Sequence, residues 1–330
     1  MPEPIAGDGH RIDRLLRAAL SQPWAIEPGR GMLIAELFAL RASGSRFDPN
    51  EVQSRIGAAE HRPMAAARVV GSSESGGSVA VLPVVGVISH RMGAFDDISG
   101  GVSVQGFQQQ FRELVRDPSV GAIVLDIDSP GGSTDGITEL GNEIHAARAD
   151  KPVIAVANTL VASGAYWLAS QASEISVTPS GDVGSIGVYS LHEEFSAAYA
   201  AAGIKHTLIR AGKHKVEANP WEPLSAAALA HLQQRIDEFH NEFLAAVARG
   251  RGVTAAQVVE RFGDGLVFGA KEAVERGMAD RVETLEQAIT RAGGDLTASP
   301  GGPGGGQRSS RHAEQPAPRS NWHDRSFNYR

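Results

Sequence analysis

Two short apolar runs, Ala122-Ile-Val-Leu-Asp-Ile-Asp128 and Val153-Ile-Ala-Val-Ala-Asn158, each end in a cluster of small residues and give way to a helical pattern. Their length and their β-branched content mark both as buried strands. The first is apolar enough to be central in a parallel sheet, where both faces are covered. After it, Ile137, Leu140 and Ile144 fall on one stripe of a helix. The chain is thereby placed in the α/β class, a parallel sheet with flanking helices, whose ligands bind at the carboxyl ends of the strands. Val81-Leu-Pro-Val-Val-Gly-Val-Ile88 reads as the first core strand. Phe107, Phe111, Leu114 and Val115 make one face of a helix that ends at Asp117-Pro118. Leu229, Leu232, Ile236, Phe239, Phe243 and Val247 recur at three- and four-residue steps on a long helix after Pro223, a stripe expected to be mostly core.

The carboxyl ends of the two buried strands carry the chemistry. Behind the first lies Ser129-Pro-Gly-Gly132, whose consecutive glycines let the backbone approach a substrate carbonyl with bare N–H donors. Behind the second, Thr159-Leu-Val-Ala-Ser-Gly-Ala-Tyr166 suits a tight turn into a helix and puts Ser163 at the junction. An isolated Ser-Gly there would be an N-cap. Beside a glycine loop at the neighbouring strand end it is a candidate nucleophile.

A serine hydroxyl is a weak nucleophile at neutral pH and needs a base within hydrogen-bond reach. No Gly-x-Ser-x-Gly elbow surrounds Ser163, and the nearest downstream histidine is His192. The other candidate is a lysine, effective only where burial or nearby positive charge lowers its pKa. Lysine is rare in this chain, with five in 330 residues, and two stand together in the loop-like Ala211-Gly-Lys-His-Lys-Val-Glu-Ala-Asn-Pro220. Lys215 is the preferred base, and Lys213 reads as its solvated neighbour.

These residues resemble the family of signal peptide peptidase A and its relatives, serine–lysine peptidases of the Clp protease/crotonase-like fold. The resemblance covers about residues 80 to 290, including the closing Gly265-Leu-Val-Phe-Gly-Ala-Lys-Glu-Ala-Val-Glu-Arg-Gly-Met-Ala-Asp280. It implies Ser163 as nucleophile and Lys215, in Gly212-Lys-His-Lys215 about fifty residues on, as base. Gly184-Ser-Ile-Gly-Val188 is similar to a family segment whose serine orients the lysine, which implies that role for Ser185. Gly132, with Gly131 as neighbour and an N–H from the Ser163-Gly164 turn, is implied as oxyanion donor. Ala165 departs from the glycine common in the family and is expected to narrow the turn.

The N-terminal stretch, His10-Arg-Ile-Asp-Arg-Leu-Leu-Arg-Ala-Ala-Leu20 and Gly31-Met-Leu-Ile-Ala-Glu-Leu-Phe-Ala-Leu40, suggests two helices broken by Ser21-Gln-Pro-Trp-Ala-Ile26. It resembles that of the capsid assembly proteases of tailed phages, the protein C type, within the same peptidase family. That implies capsid, portal or scaffold proteins as substrates or assembly partners, and the family implies a homo-oligomeric ring. The other function considered is a soluble bacterial peptidase that degrades peptides. The expected organisation is a helical arm over 1–42, a linker over 43–79, the peptidase domain over 80–290 and a Gly/Pro/Arg-rich disordered tail over 291–330.

No apolar run approaches the roughly 20 residues of a membrane span, and Met1-Pro-Glu-Pro-Ile-Ala-Gly-Asp8 lacks a signal pattern, so the expected location is the bacterial host cytoplasm or the inside of a procapsid. Zero cysteines exclude thiol catalysis and cysteine-ligated metal. With neither a Walker loop nor a metal-ligand cluster, no cofactor and no metal are expected. The tail has five arginines against Glu314 and Asp324 on a chain of net charge −7, too little with its few aromatics to make nucleic acid the expected partner. An acyl-CoA enzyme of the crotonase type would share the sheet and the glycine loop but would need acid/base carboxylates. A catalytically silent relative would keep the fold alone.

Overall fold

The computed structural model of the protein describes residues 23–29, 67–73, 77–90 and 101–293. The first part of the chain forms β1 (Trp24–Ile26), β2 (Arg68–Ser73), β3 (Gly77–Val85), β4 (Val87–Ser89), β5 (Gly101–Ser103) and α1 (Val104–Arg116). Then come β6 (Val120–Ser129), β7 (Gly131–Ser133), α2 (Ile137–Ala147), β8 (Val153–Ala162), α3 (Gly164–Ser170), β9 (Glu174–Val177) and β10 (Asp182–Gly184). The last part comprises α4 (Ser196–Ala201), α5 (Ala226–Arg251), α6 (Ala255–Phe262), β11 (Val267–Gly269), α7 (Ala270–Arg276), β12 (Arg281–Val282) and α8 (Leu285–Arg291).

The two apolar runs are the middle of the larger sheet, ordered β11-β10-β8-β6-β3-β2, with β9 paired to β8 and β12 to β9. Pairing is parallel through β3, β6, β8 and β10, and antiparallel only at β2 and β11. Successive side chains of a strand point to opposite faces, and the three central strands obey this throughout. Val79, Val81, Ala122, Val124, Ile154 and Val156 face one way, onto Ala288 and Ile289 of α8. Ala80, Leu82, Ile123, Leu125, Val153 and Ala155 face the other, into the main core with Phe107, Phe111, Ile137, Leu140, Ile144 and Phe243. Because both faces are covered, the strands read as continuous apolar runs.

A second sheet, ordered β1-β7-β4-β5, folds over the carboxyl end of the first. It exists because the chain turns sharply at Gly86, φ +85, between β3 and β4, and again between β6 and β7. β7 is thus the Gly-Gly segment itself, built into a sheet rather than left as a loop.

The α/β architecture with a parallel sheet and flanking helices is as expected from the sequence. β2 lies inside the stretch read as linker, where its short Arg68-Val-Val70 segment gains its strand character from pairing with β3. The stripe on α5 is core only in its second half: Phe243 and Val247 are buried, whereas Leu229 is exposed and Leu232, Ile236 and Phe239 are half-buried. The two N-terminal helices and the Gly/Pro/Arg-rich tail lie outside the described residues.

Candidate active site

Ser163 follows β8 directly and opens α3, as the junction predicts. Its backbone has φ 53° and ψ −121°, a region in which a side chain is strained by about 1–3 kcal/mol. The strain is held from both sides: the Ser163 N–H donates to Gly184 O at 2.7 Å, and Trp167 N–H donates to Ser163 O at 3.0 Å. Ser163 thus occupies the N-cap position, yet its side chain does not cap the helix. The hydroxyl, on a residue only 1% exposed, donates instead to Gly187 O at 3.3 Å. Ala165 lies within α3 with negative φ, so the turn accommodates it without a second glycine.

The glycine segment lies against this turn. A Cβ on Gly131 (φ +95) would stand 2.8 Å from Gly164 N and 2.2 Å from Ala25 O, and one on Gly132 would stand 1.9 Å from Ile88 O. Neither position has room for a side chain. Gly132 N lies 3.5 Å from where a Gly164 Cβ would be, so the glycine segment packs directly on the Ser163 turn. Ser129 organises the segment: fully buried, it donates to Gly86 O at 2.6 Å and accepts from Gly131 N–H at 3.2 Å. The Gly131 N–H is therefore engaged, Gly132 stands opposite Ala25 of β1 in the ladder, and the Gly164 N lies beside them at the start of α3. Sequence reasoning missed this role of Ser129, although Ser-Pro-Gly-Gly displayed it.

Ser185 is buried and also has positive φ, 54°, with its N–H donating to Leu266 O at 2.7 Å. The segment Gly184–Gly187 therefore wraps Ser163 through two bonds, one to its N–H and one from its hydroxyl. Lys215 is not joined to them: it is exposed, in a turn where its N–H donates to Gly212 O at 3.2 Å. Among the described residues no hydrogen bond links Lys215 to Ser163. Residues 204–224 contain neither helix nor strand, and Ile209 within them is 97% exposed. Glu217, which meets His214 and, at 3.2 Å, His231, ties this segment to α5, and those two contacts lower its pKa. Among the described residues, the buried Nε2 of His192 has no hydrogen-bond partner and His192 makes no hydrogen bond to Ser163.

α3 is fixed firmly from behind. Trp167 stacks on Phe243 of α5 at 4.7 Å between ring centroids, and Gln171 donates to Ala246 O at 2.8 Å. Gly250 lets α5 approach so closely that a Cβ there would stand 1.9 Å from Ser170 O. Tyr166 donates to Met278 O at 2.9 Å, and its burial raises the phenol pKa. Such bracing fixes the turn that carries Ser163.

The family model of peptidase family S49 matches residues 145–298, a stretch that holds Ser163, Ser185 and Lys215. The chain is 32% identical over 84% of its length to the head-tail preconnector protein GP5 of Enterobacteria phage P21, covering 56% of that protein. It is 35% identical over 64% of its length to capsid assembly protease C of Escherichia phage lambda, covering 48% of that protein. The chain thus spans about half the length of these relatives. Among solved structures it is similar to a point mutant of ClpP1 from Listeria monocytogenes, with a TM-score of 0.40, 13% identity, and coverage of 63% of this chain and 94% of that one. Motif order and strand-end geometry agree with the matched model: residues 145–298 are similar to peptidase family S49.

Proposed function

We propose that the protein is a serine endopeptidase in which Ser163 attacks a peptide carbonyl and Lys215 accepts its proton. The observation that carries the reading is Ser163 itself, a buried serine held at φ 53° with a hydroxyl that does not cap its helix, on a turn packed against the Gly131-Gly132 backbone. The Ser163 Oγ would bond to the carbonyl carbon while its proton passes to the neutral Lys215 amine. The N–H groups of Gly132 and Gly164 would receive the oxyanion. Lys215 would then protonate the leaving amine, and water would hydrolyse the ester and regenerate Ser163.

Lys215 must move to do this, and a neighbouring copy is the proposed agent. The exposed stretch 204–224, together with the exposed first half of α5, is the surface on which subunits of a ring would pack, pressing the lysine turn toward Ser163. Ser185, in the segment that wraps Ser163, would then orient the amine. The similarity to capsid assembly protease C and the preconnector protein supports substrates among capsid, portal or scaffold proteins, met in the host cytoplasm or in an assembling shell.

The test is hydrolysis of an unfolded protein, with a serine-directed phosphonate as label. Ser163→Ala and Lys215→Ala are each expected to abolish turnover, because members of one catalytic unit are not additive. Retention by Lys215→Ala with loss in His192→Ala would replace the dyad by a serine–histidine pair. Labelling anywhere other than Ser163 would remove the nucleophile.

A further inference from the structure

β1 comes from a distant part of the chain and lies antiparallel along β7, with Trp24 opposite Ser133, Ala25 opposite Gly132 and Ile26 opposite Gly131. Its other edge is held by Tyr189: Trp24 N–H donates to Tyr189 O at 2.8 Å, and Tyr189 N–H donates to Trp24 O at 3.0 Å. Glu27 N–H donates to Pro130 O at 2.7 Å. Hydrogen-bonded pairs alternate in an antiparallel ladder. With Glu27 bonded to Pro130, and Trp24 turned to Tyr189, the next bonded pair along β7 is Ala25 with Gly132.

The Gly132 N–H assigned above to the oxyanion therefore faces a carbonyl of the protein's own chain. That carbonyl lies deep in the site, since Ala25 O stands 2.2 Å from where a Gly131 Cβ would be and 3.1 Å from the corresponding point on Gly164. Ala25 is 0% exposed, so its position has room for a small side chain only. An extended segment placed between two backbones, with alternate residues bonded to each, is how sheet-adding peptides are recognised.

We propose that the slot between Gly131–Ser133 and Tyr189 is the binding site for an extended peptide substrate with a small residue at the Ala25 position, and that β1 occupies it as a resident strand that substrate must displace. The proposal rests on the reading of Ser163 as nucleophile. Displacement is feasible because β1 has three residues and the flanking residues 28 and 29 are exposed. A strand of three residues has few hydrogen bonds to break and opens at lower cost than the long central strands.

Because the chain contains no cysteine, a single disulfide can lock the strand. Hydrogen-bonded antiparallel partners have Cα atoms about 5.5 Å apart, within disulfide range. The double variant Trp24→Cys/Tyr189→Cys, oxidised, is expected to lose at least about tenfold in hydrolysis of an unfolded protein and to recover on reduction. Equal rates in the two redox states would overturn the proposal. Ala25→Pro removes the strand's N–H toward Gly132; it is expected to raise kcat/KM severalfold and to speed phosphonate labelling of Ser163. An unchanged or lower rate in Ala25→Pro would make β1 a permanent structural strand, and this arm decides if the cysteine variant fails to fold. Hydrolysis that persists in Ser163→Ala would instead refute the nucleophile, whatever β1 does.

Discussion

Arg251 and Asp280 meet through two parallel hydrogen bonds of 2.9 and 2.8 Å, which join the end of α5 to the turn before β12. Burial alone would raise the Asp280 pKa, but Arg251 and the Ile175 N–H, 2.8 Å away, override it and hold the carboxyl below its ordinary value.

A carboxyl whose pKa is lowered on folding stabilises the fold above its unfolded pKa of about 3.9, and that contribution is lost as pH falls through the folded value. Asp280→Asn is expected to cost about 1 kcal/mol at neutral pH, the modest size reflecting partial solvent screening. Urea midpoints measured at neutral pH and again near pH 2 check this. The gap between wild type and variant should close at the acid end.

Ser163→Gly should make the protein more stable and inactive. Glycine adopts φ 53° without strain, so a gain of about 1 kcal/mol in unfolding free energy is expected. A calorimetric Tm above wild type, alongside zero peptidase activity, is the predicted pair of results. A lowered Tm would mean that the hydroxyl's bond to Gly187 O outweighs the backbone strain.

Ser129→Ala removes the hydroxyl that bridges Gly86 O and Gly131 N–H inside a fully buried site. Leaving two backbone groups unpaired should cost on the order of 1–3 kcal/mol. Activity should fall more in kcat than in KM, since the loosened segment carries the Gly132 donor. Steady-state kinetics together with denaturant unfolding would separate the two effects.

Gly250→Ala places a methyl 1.9 Å from the backbone oxygen of Ser170. Overpacking against backbone is expected to destabilise by about 1–3 kcal/mol. Because the displaced helix is α3, hydrolysis should fall too, although Gly250 lies at its far end from Ser163. Ser185→Ala, by contrast, is expected to slow turnover by up to about 10²-fold while leaving the urea midpoint near wild type.

The central strands, their helices and the Ser163 junction were legible in the sequence because each is a local pattern: a run of apolar residues, a stripe, a turn of small residues. Ser185 was legible only through resemblance, since Gly-Ser-Ile-Gly gives no local sign that its serine takes positive φ. β1 escaped altogether. Trp24-Ala-Ile26 is too short to show a period, and its strand character comes from partners at Gly131–Ser133 and Tyr189, remote in the chain. The Lys215 turn shows the converse limit, because the local motif is plain but among the described residues no hydrogen bond joins Lys215 to Ser163.

The covering of the sheet's second face by Ala288 and Ile289 also bears on how the chain is completed during synthesis. A ribosome extrudes Ser163 and both glycine donors well before α8, so the nascent chain carries every proposed reacting group while Val79, Val81, Val124, Ile154 and Val156 still lack their cover. Such a chain has an unfinished sheet whose apolar second face is open to water. The sheet is therefore complete only once residues 285–291 have been made and have packed on it.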